Sequence, residues 1–132
     1  MRNAILYLFL SALSLSLLAC ATGVPLYSPD FSIEANHQSR ADKAIKTALQ
    51  KRRWTILNQK PGSITAKYDR GRKYSATVKI DYSRSNVKIN LVDSVNLNQS
   101  QSDSGEMLIH KTYNNWIHYL ERDIQFELSH MQ

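Results

Sequence analysis

Asp93, Ser94 and His110 are the side-chain types of a hydrolase triad. Such a triad needs a nucleophile, a base within about 3 Å and an orienting carboxylate. The chain has no Gly-x-Ser-x-Gly elbow that would expose a serine, and an Asp-Ser pair at a strand end is typical of a turn that bonds local backbone. We therefore expect a non-enzyme, with an unrecognised hydrolase as the alternative. The predicted feature is a polar patch of Asp93, Ser94, Asn96, His110 and Asn114.

Two basic runs, Lys51-Arg52-Arg53 and Arg70-Gly71-Arg72-Lys73, are candidate surfaces for a phosphate or a carboxylate. On the strands predicted near residues 64–68, 74–82 and 87–91, the polar face carries Lys67, Lys79 and Lys88. Positive charge steers anions but does not name a ligand, and lysines also protect exposed sheets from unwanted pairing. The predicted anion-binding or partner-binding residues are Arg70, Arg72 and Lys73, with an ordinary solvated face as the alternative.

The four histidines are His37, His110, His118 and His130. Only His110 and His118 share a predicted helix, where eight residues separate them by two turns without a third ligand beside them. A metal site needs three or four converging ligands. We therefore predict no metal and no cofactor.

The only cysteine of the chain, Cys20, ends its most apolar segment. Arg2 and Asn3 form a short basic start, and residues 4–19 are almost continuously apolar. This layout is typical of an export signal. A membrane-spanning helix needs about 20 apolar residues, and this run is shorter. Residues 1–19 are therefore predicted to be a signal peptide.

Leu17-Leu18-Ala19-Cys20 resembles the lipobox of bacterial lipoproteins, in which signal peptidase cuts before a cysteine that carries diacylglycerol on its sulfur. The resemblance implies lipidation of Cys20, and two or three acyl chains hold a protein essentially permanently on a membrane. Ala21 is not the aspartate associated with inner-membrane retention, so the resemblance implies the outer membrane, facing the periplasm. The implied partners are membrane lipid and an envelope protein or an anionic envelope component.

Cleavage before Cys20 would leave 113 of the 132 residues, enough for one domain with a modest core. This mature chain has 16 basic and 11 acidic side chains, a formal charge of about +5. Because the periplasm offers anionic lipids and cell-wall carboxylates, the charge indicates envelope electrostatics, and we predict no nucleic-acid partner. Residues 20–37 are predicted to be the lipidated cysteine and a tether, in which alternation at Phe31 and Ile33 indicates a short edge strand.

Residues 38–132 are predicted to form a single domain. Apolar spacing predicts a helix from Ser39 to about Arg53, followed by alternating strands near residues 54–57, 64–68, 74–82 and 87–91. Short turns between consecutive strands favour antiparallel neighbours. Asp103 with Glu106 three residues later predicts a capping box that opens a second helix. The predicted fold class is α+β, a two-layer sandwich with an antiparallel four-stranded meander and two helices on one face, in the order αββββα.

Residues 44–124 resemble a family of small uncharacterised lipoproteins from Gram-negative bacteria. The resemblance lies in Trp54, Gly62-Ser63-Ile64-Thr65-Ala66, Asp93-Ser94 with Asn96-Leu97, and Ile109-His110 with Tyr113-Asn114 and Trp116-Ile117. It implies an envelope lipoprotein of this topology and brings no catalytic residues. We expect a non-enzymatic interaction or scaffold module that uses a sheet edge or a polar face. The alternative is a periplasmic binding or inhibitor domain for a small anionic ligand.

Overall fold

The computed structural model describes residues 23–131. The predicted signal peptide, residues 1–19, and the predicted lipidation site, Cys20, lie outside this range. Among the described residues no helix combines the length and the apolar character needed to cross a membrane.

Two helices and eight strands make up residues 23–131. The helices are α1 (Gln38–Lys51) and α2 (Lys111–His130). The predicted α+β class with antiparallel pairing is confirmed. The strands are β1 (Val24–Pro25), β2 (Asp30–Ser32), β3 (Thr55–Lys60), β4 (Ser63–Arg70), β5 (Tyr74–Tyr82), β6 (Asn86–Val95), β7 (Ser100–Gln101) and β8 (Met107–Ile109).

The main sheet has five antiparallel strands in the order β2-β6-β5-β4-β3. Its four consecutive strands β3 to β6 form the predicted meander. β2 adds the fifth strand beside β6, where Phe31 lies opposite Val87. A second, smaller sheet has the order β1-β8-β7. The predicted four-stranded sheet is therefore extended at one edge and accompanied by a second sheet.

Helix α1 buries one apolar stripe and ends in a Schellman motif. The Arg53 N–H donates to the Gln50 carbonyl at 3.0 Å, and the Trp54 N–H donates to the Leu49 carbonyl at 2.9 Å. Arg53 has the left-handed φ of 63° that this motif requires, a conformation for which glycine is usual. The buried stripe, at the predicted positions, consists of Ala41, Ala44, Ile45, Ala48 and Leu49.

One face of the main sheet and both helices share a single core. Inward residues of the meander include Ile64, Ala66, Val78, Ile80, Val87 and Ile89, all fully buried. The residues that α2 adds to it are Tyr113, Ile117, Leu120, Ile124 and Leu128. Burial of a large apolar side chain contributes about 1.5–3 kcal/mol. The opposite side, here named the open sheet face, consists of Thr65, Lys67, Thr77, Lys79, Asp81 and Lys88, which alternate with the inward residues.

The second helix begins later than the sequence indicates. Glu106 does not close a capping box on Asp103, because its backbone N–H donates to the Ser102 hydroxyl at 3.0 Å in the turn between β7 and β8. Gly105 has a φ of 86° in that turn, a conformation that a helix cannot continue. Strand β8 then pairs with β1, and α2 starts only after its N-cap, His110. The predicted order αββββα is therefore wrong in these short elements.

The predicted tether belongs to the folded domain from Gly23 onward. Strands β1 and β2 both find antiparallel partners. Phe31 packs against the core, and Ile33 is only 8% exposed. The short edge strand predicted at Phe31 and Ile33 is present as β2, which ends one residue before Ile33 and forms an edge of the main sheet. The remaining tether prediction is wrong from Gly23 onward, because β1 pairs with β8 and the apolar side chains of this segment reach the core.

Candidate functional site

A cleft of about 830 Å³ opens where the β4–β5 turn, the segment after β6 and the start of α2 meet. It brings together members of the two groups predicted from the sequence: Arg70 and Lys73 from the basic run, Asn96 and His110 from the polar patch. None of the described residues that line it is acidic. This basic cleft is lined by Arg70, Gly71, Lys73, Tyr74, Asn96, Leu97, Asn98, His110 and Thr112.

The β4–β5 turn carries three cationic side chains, those of Arg70, Arg72 and Lys73, of which Arg70 and Lys73 line the cleft and Arg72 does not. Gly71 and Arg72 have positive φ angles of 63° and 64°. Two consecutive left-handed residues form the tight hairpin turn whose twist suits antiparallel strands, and Gly71 adopts this conformation without a steric cost. All three cationic side chains are exposed. None of them forms an ion pair within residues 23–131.

The segment after β6 forms a second wall of the basic cleft. Asn96 and Asn98 have left-handed φ angles of 58° and 53°, which asparagine tolerates better than most residues. Leu97 between them is 2% exposed and anchors the segment in the core. The Asn96 Nδ2 donates to the Lys73 carbonyl at 2.6 Å. This hydrogen bond fixes the second wall to the basic turn.

His110 closes the basic cleft as the N-cap of α2. Its Nδ1 accepts from the Thr112 backbone N–H at 3.1 Å, and its own backbone N–H donates to the Leu97 carbonyl at 2.8 Å. Because Nδ1 is an acceptor, the neutral ring carries its proton on Nε2. The first turn of this 20-residue helix also presents backbone N–H groups and a partial positive charge. The helix start and the basic turn therefore favour an anion together.

Arg70 also borders a smaller aromatic pocket of about 260 Å³. There Arg52 lies 4.9 Å over the ring of Tyr119 and bonds to Asp123 at 2.5 Å. The hydrogen bond to Asp123 raises the pKa of Arg52 and offsets its charge. This pocket therefore offers less uncompensated positive charge than the basic cleft. Its remaining walls are Trp54, Tyr68 and Trp116.

Three residues of the predicted polar patch do not line the basic cleft. The Ser94 hydroxyl donates to Gln99 Oε1 at 2.8 Å, Asp93 is exposed on β6, and Asn114 binds the N-terminal segment. Within residues 23–131 no hydrogen bond joins Ser94, His110 and Asp93. The structure therefore does not assemble the triad geometry from these residues.

The lysines of the open sheet face have carboxylates beside them. Lys67 lies 3.4 Å from Asp69, and Lys79 lies 3.6 Å from Asp81. Lys88 is the register partner of Asp81 on the neighbouring strand. The positive charge of this face is therefore balanced locally, and it has the character of a solvated surface.

The N-terminal segment is held against α2 by what we name the N-terminal clamp, formed by Asn114 and Glu121. Asn114 Oδ1 accepts from the Tyr27 backbone N–H at 3.0 Å, and its Nδ2 donates to the Pro25 carbonyl at 2.8 Å. The Tyr27 hydroxyl donates to Glu121 at 2.5 Å. This bond, together with burial, raises the pKa of Tyr27 to about 12. The Tyr27 ring stacks on His118 at 4.0 Å.

Two further histidines at helix ends, His37 and His130, do not line the basic cleft. His37 is the N-cap position of α1, and His130 stacks on Phe126 at 4.0 Å. Residues 23–131 contain no group of three or more His, Cys, Asp or Glu side chains suited to a metal ion.

Five residues that line the cleft are not among the predicted site residues: Gly71, Tyr74, Leu97, Asn98 and Thr112. The alternation of Asn96 and Asn98 about an apolar Leu97 was a usable signal, because asparagine favours turns and left-handed conformations. No pattern in the sequence links Asn114 to the backbone of the N-terminal segment.

Comparison with known proteins assigns no family to this chain. No protein-family model matches it, and no curated protein is significantly similar.

Proposed function

We propose that this chain is an envelope lipoprotein, held on the outer membrane by acyl chains on Cys20, whose domain binds an anionic envelope component in the basic cleft. The observation that carries the proposal is the electrostatic character of the cleft. Arg70 and Lys73 border it together with the start of α2, and within residues 23–131 no carboxylate lines it. The Leu17-Leu18-Ala19-Cys20 sequence and the apolar run before it support the anchor.

The chemistry of the lining favours a phosphate or a carboxylate. A guanidinium such as that of Arg70 can bind either group through two parallel hydrogen bonds, whereas Lys73 contributes a mobile point charge. Asn98, Thr112 and the Nε2 of His110 supply neutral donors or acceptors around them. These groups bind and orient an anion, and the proposed role is therefore non-enzymatic.

A soluble anionic ligand is the second candidate. The volume of about 830 Å³ lies within the range of about 300–1,000 Å³ that is usual for small-molecule sites. Docking of a partner strand at the β3 edge has less support, because the register shifts between Ile56 and Asn58. Such a bulge discourages edge-to-edge pairing.

The anchor and the cleft can be tested on one sample, the protein isolated from its host membrane in a nonionic detergent. Mass spectrometry should find a mature chain that begins at an acylated Cys20. Titration with inorganic phosphate should show saturable binding that weakens with added salt. An unmodified cysteine or a different mature start would contradict the anchor. Absence of saturable binding for both phosphate and acetate would contradict the function proposed for the cleft.

The partner can be sought with a photo-crosslinking residue at position 98, on the wall of the cleft. Asn58, an exposed asparagine on β3, gives the matched control position. In intact cells we expect a specific adduct from position 98 that is absent from position 58. Identical adduct patterns from the two positions would contradict binding in the cleft.

A further inference from the structure

The described chain begins beside β8, the strand that leads into the His110 wall of the basic cleft. Val24 pairs with Ile109, the residue directly before His110 of the cleft lining. A Cβ atom built on Gly23 would lie 3.0 Å from the Leu108 Cβ, which shows how closely the two strands approach. The chain upstream of Gly23 therefore leaves the domain beside the start of α2.

The length of chain between the domain and the proposed anchor is short. Cys20 is three residues upstream of Gly23, and three residues span at most about 11 Å. The N-terminal clamp and the hydrogen bond from the Leu26 N–H to the Met107 carbonyl, 2.9 Å, hold the first strand in place. The Cα atom of an acylated Cys20 would consequently lie within about 11 Å of that of Gly23.

The positive charge of the basic turn and of the first residue of α2 complements an anionic bilayer. Arg70, Arg72 and Lys73 are joined by Lys111, the exposed first residue of α2. The acidic turn of residues 103–106 precedes β8, whereas His110 follows β8. The acidic turn and the His110 side of the cleft therefore lie at opposite ends of that strand. Cationic side chains are attracted to anionic lipid within a Debye length, about 8 Å at physiological salt.

We infer that the domain lies with its basic cleft against its own membrane, and that the anion bound in the cleft is the phosphate of an anionic lipid headgroup in that bilayer. This inference rests on the proposed acylation of Cys20. The β3–β4 and β5–β6 turns, which contain Pro61 and Arg84, lie at the opposite ends of their strands and face away from the bilayer.

The test uses the lipidated protein in nanodiscs that contain a headgroup-labelled paramagnetic lipid. One set consists of phosphatidylcholine, and the other also contains phosphatidylglycerol. We expect the amide signals of Gly71, Lys73 and Lys111 to broaden more than those of Gly62 and Ser85, with the difference larger in the anionic discs. Equal broadening at both ends, or stronger broadening at Gly62 and Ser85, would overturn the inference. Broadening at the basic turn that is the same in both kinds of disc would overturn the assignment to an anionic headgroup, because phosphatidylcholine carries a phosphate without a net negative charge.

Charge reversal compares how much the basic cleft and the opposite end of the domain contribute to membrane docking. Arg70→Glu with Lys73→Glu should lower the docked fraction in anionic discs at least about tenfold, since each cation near such a surface contributes about a fivefold factor. The matched control is Lys60→Glu with Arg84→Glu at the far end, which should leave docking unchanged. Equal loss in the two variants, each with a native amide spectrum, would overturn the inference.

Failure of this inference can be distinguished from failure of the proposed function. An unmodified Cys20 in the same sample would overturn both. A lipidated protein whose cleft amides respond to inorganic phosphate but are not broadened by the labelled lipid would overturn only the membrane orientation. That result would assign the cleft to a soluble anion.

Discussion

The basic cleft and the open sheet face carry the same kinds of cationic side chain in different electrostatic settings. On the open sheet face, Lys67 and Lys79 lie beside aspartates at 3.4 and 3.6 Å. In the cleft, Arg70 and Lys73 are exposed and form no ion pair within residues 23–131. The difference shows that a basic residue marks a candidate site through its neighbours, because nearby carboxylates cancel the potential that attracts an anion.

The largest expected effect is a loss of stability when the wall of the basic cleft is altered, compared with an exposed position on β6. Leu97→Ala should lower the free energy of unfolding by about 2–5 kcal/mol, because the side chain is 2% exposed and its loss leaves a cavity behind the cleft wall. Val92→Ala, at a position that is 58% exposed, should change it by less than about 0.5 kcal/mol. Urea unfolding of both variants measures the difference. Similar losses would mean that Leu97 does not anchor the cleft wall.

Charge reversal should separate the two regions functionally. Arg70→Glu with Lys73→Glu is expected to weaken phosphate binding at least about tenfold, or about 1.4 kcal/mol. The control, Lys67→Glu with Lys79→Glu, should change binding much less because those lysines lie on the open sheet face. Calorimetric titration of the two variants distinguishes them. If the control pair weakened phosphate binding more than the cleft pair did, the open sheet face and not the cleft would be the binding surface.

The N-terminal clamp makes the stability of the domain depend on pH in the alkaline range. Because the pKa of Tyr27 is raised from 10 to about 12 in the folded chain, its contribution to stability is full below about pH 10 and is lost as the pH rises to about 12. Tyr27→Phe should reduce this loss by on the order of 1 kcal/mol. The control is Tyr119→Phe, at a residue that is 42% exposed. This variant should lose as much stability at alkaline pH as the unchanged protein. Urea midpoints measured on either side of pH 10 provide the test, and an unchanged loss in Tyr27→Phe would rule out the clamp as its source.

The smallest expected effect is a gain of binding on the open sheet face. Asp69→Asn with Asp81→Asn removes the carboxylates that neutralise its lysines. We expect weak additional phosphate binding at this face, with an affinity no more than about threefold above the background. The gain is small because exposed ion pairs contribute little. Phosphate titration monitored at the Lys67 and Lys79 amides would detect it. Loss of phosphate binding in the cleft of this variant would contradict the independence of the two surfaces.

The sequence predicted the elements whose apolar pattern is long and regular. Helix α1 and the meander from β3 to β6 follow directly from spacing at positions such as Ala44, Ile45, Val78 and Ile80. The start of α2 was wrong because Ser102 and Gly105 form a turn locally, which a capping-box pattern cannot distinguish from a helix start. β1 was missed because its short backbone pairing depends on residues more than 80 positions away.

The candidate site was predicted only in pieces. Arg70, Lys73, Asn96 and His110 were named as members of separate groups, and only the folded chain brings them to one cleft. The carboxylates beside Lys67 and Lys79 are visible in the sequence as residues two positions away. Their significance depends on strand geometry, which places such neighbours on the same face.

Amide chemical-shift mapping during titration with inorganic phosphate tests the central claim most directly. If the basic cleft binds the anion, the saturable shifts should centre on Gly71, Lys73, Asn98 and Thr112, while Lys67, Lys79 and Lys88 remain nearly unchanged. Shifts centred on the open sheet face, or no saturable shift at the cleft, would contradict it.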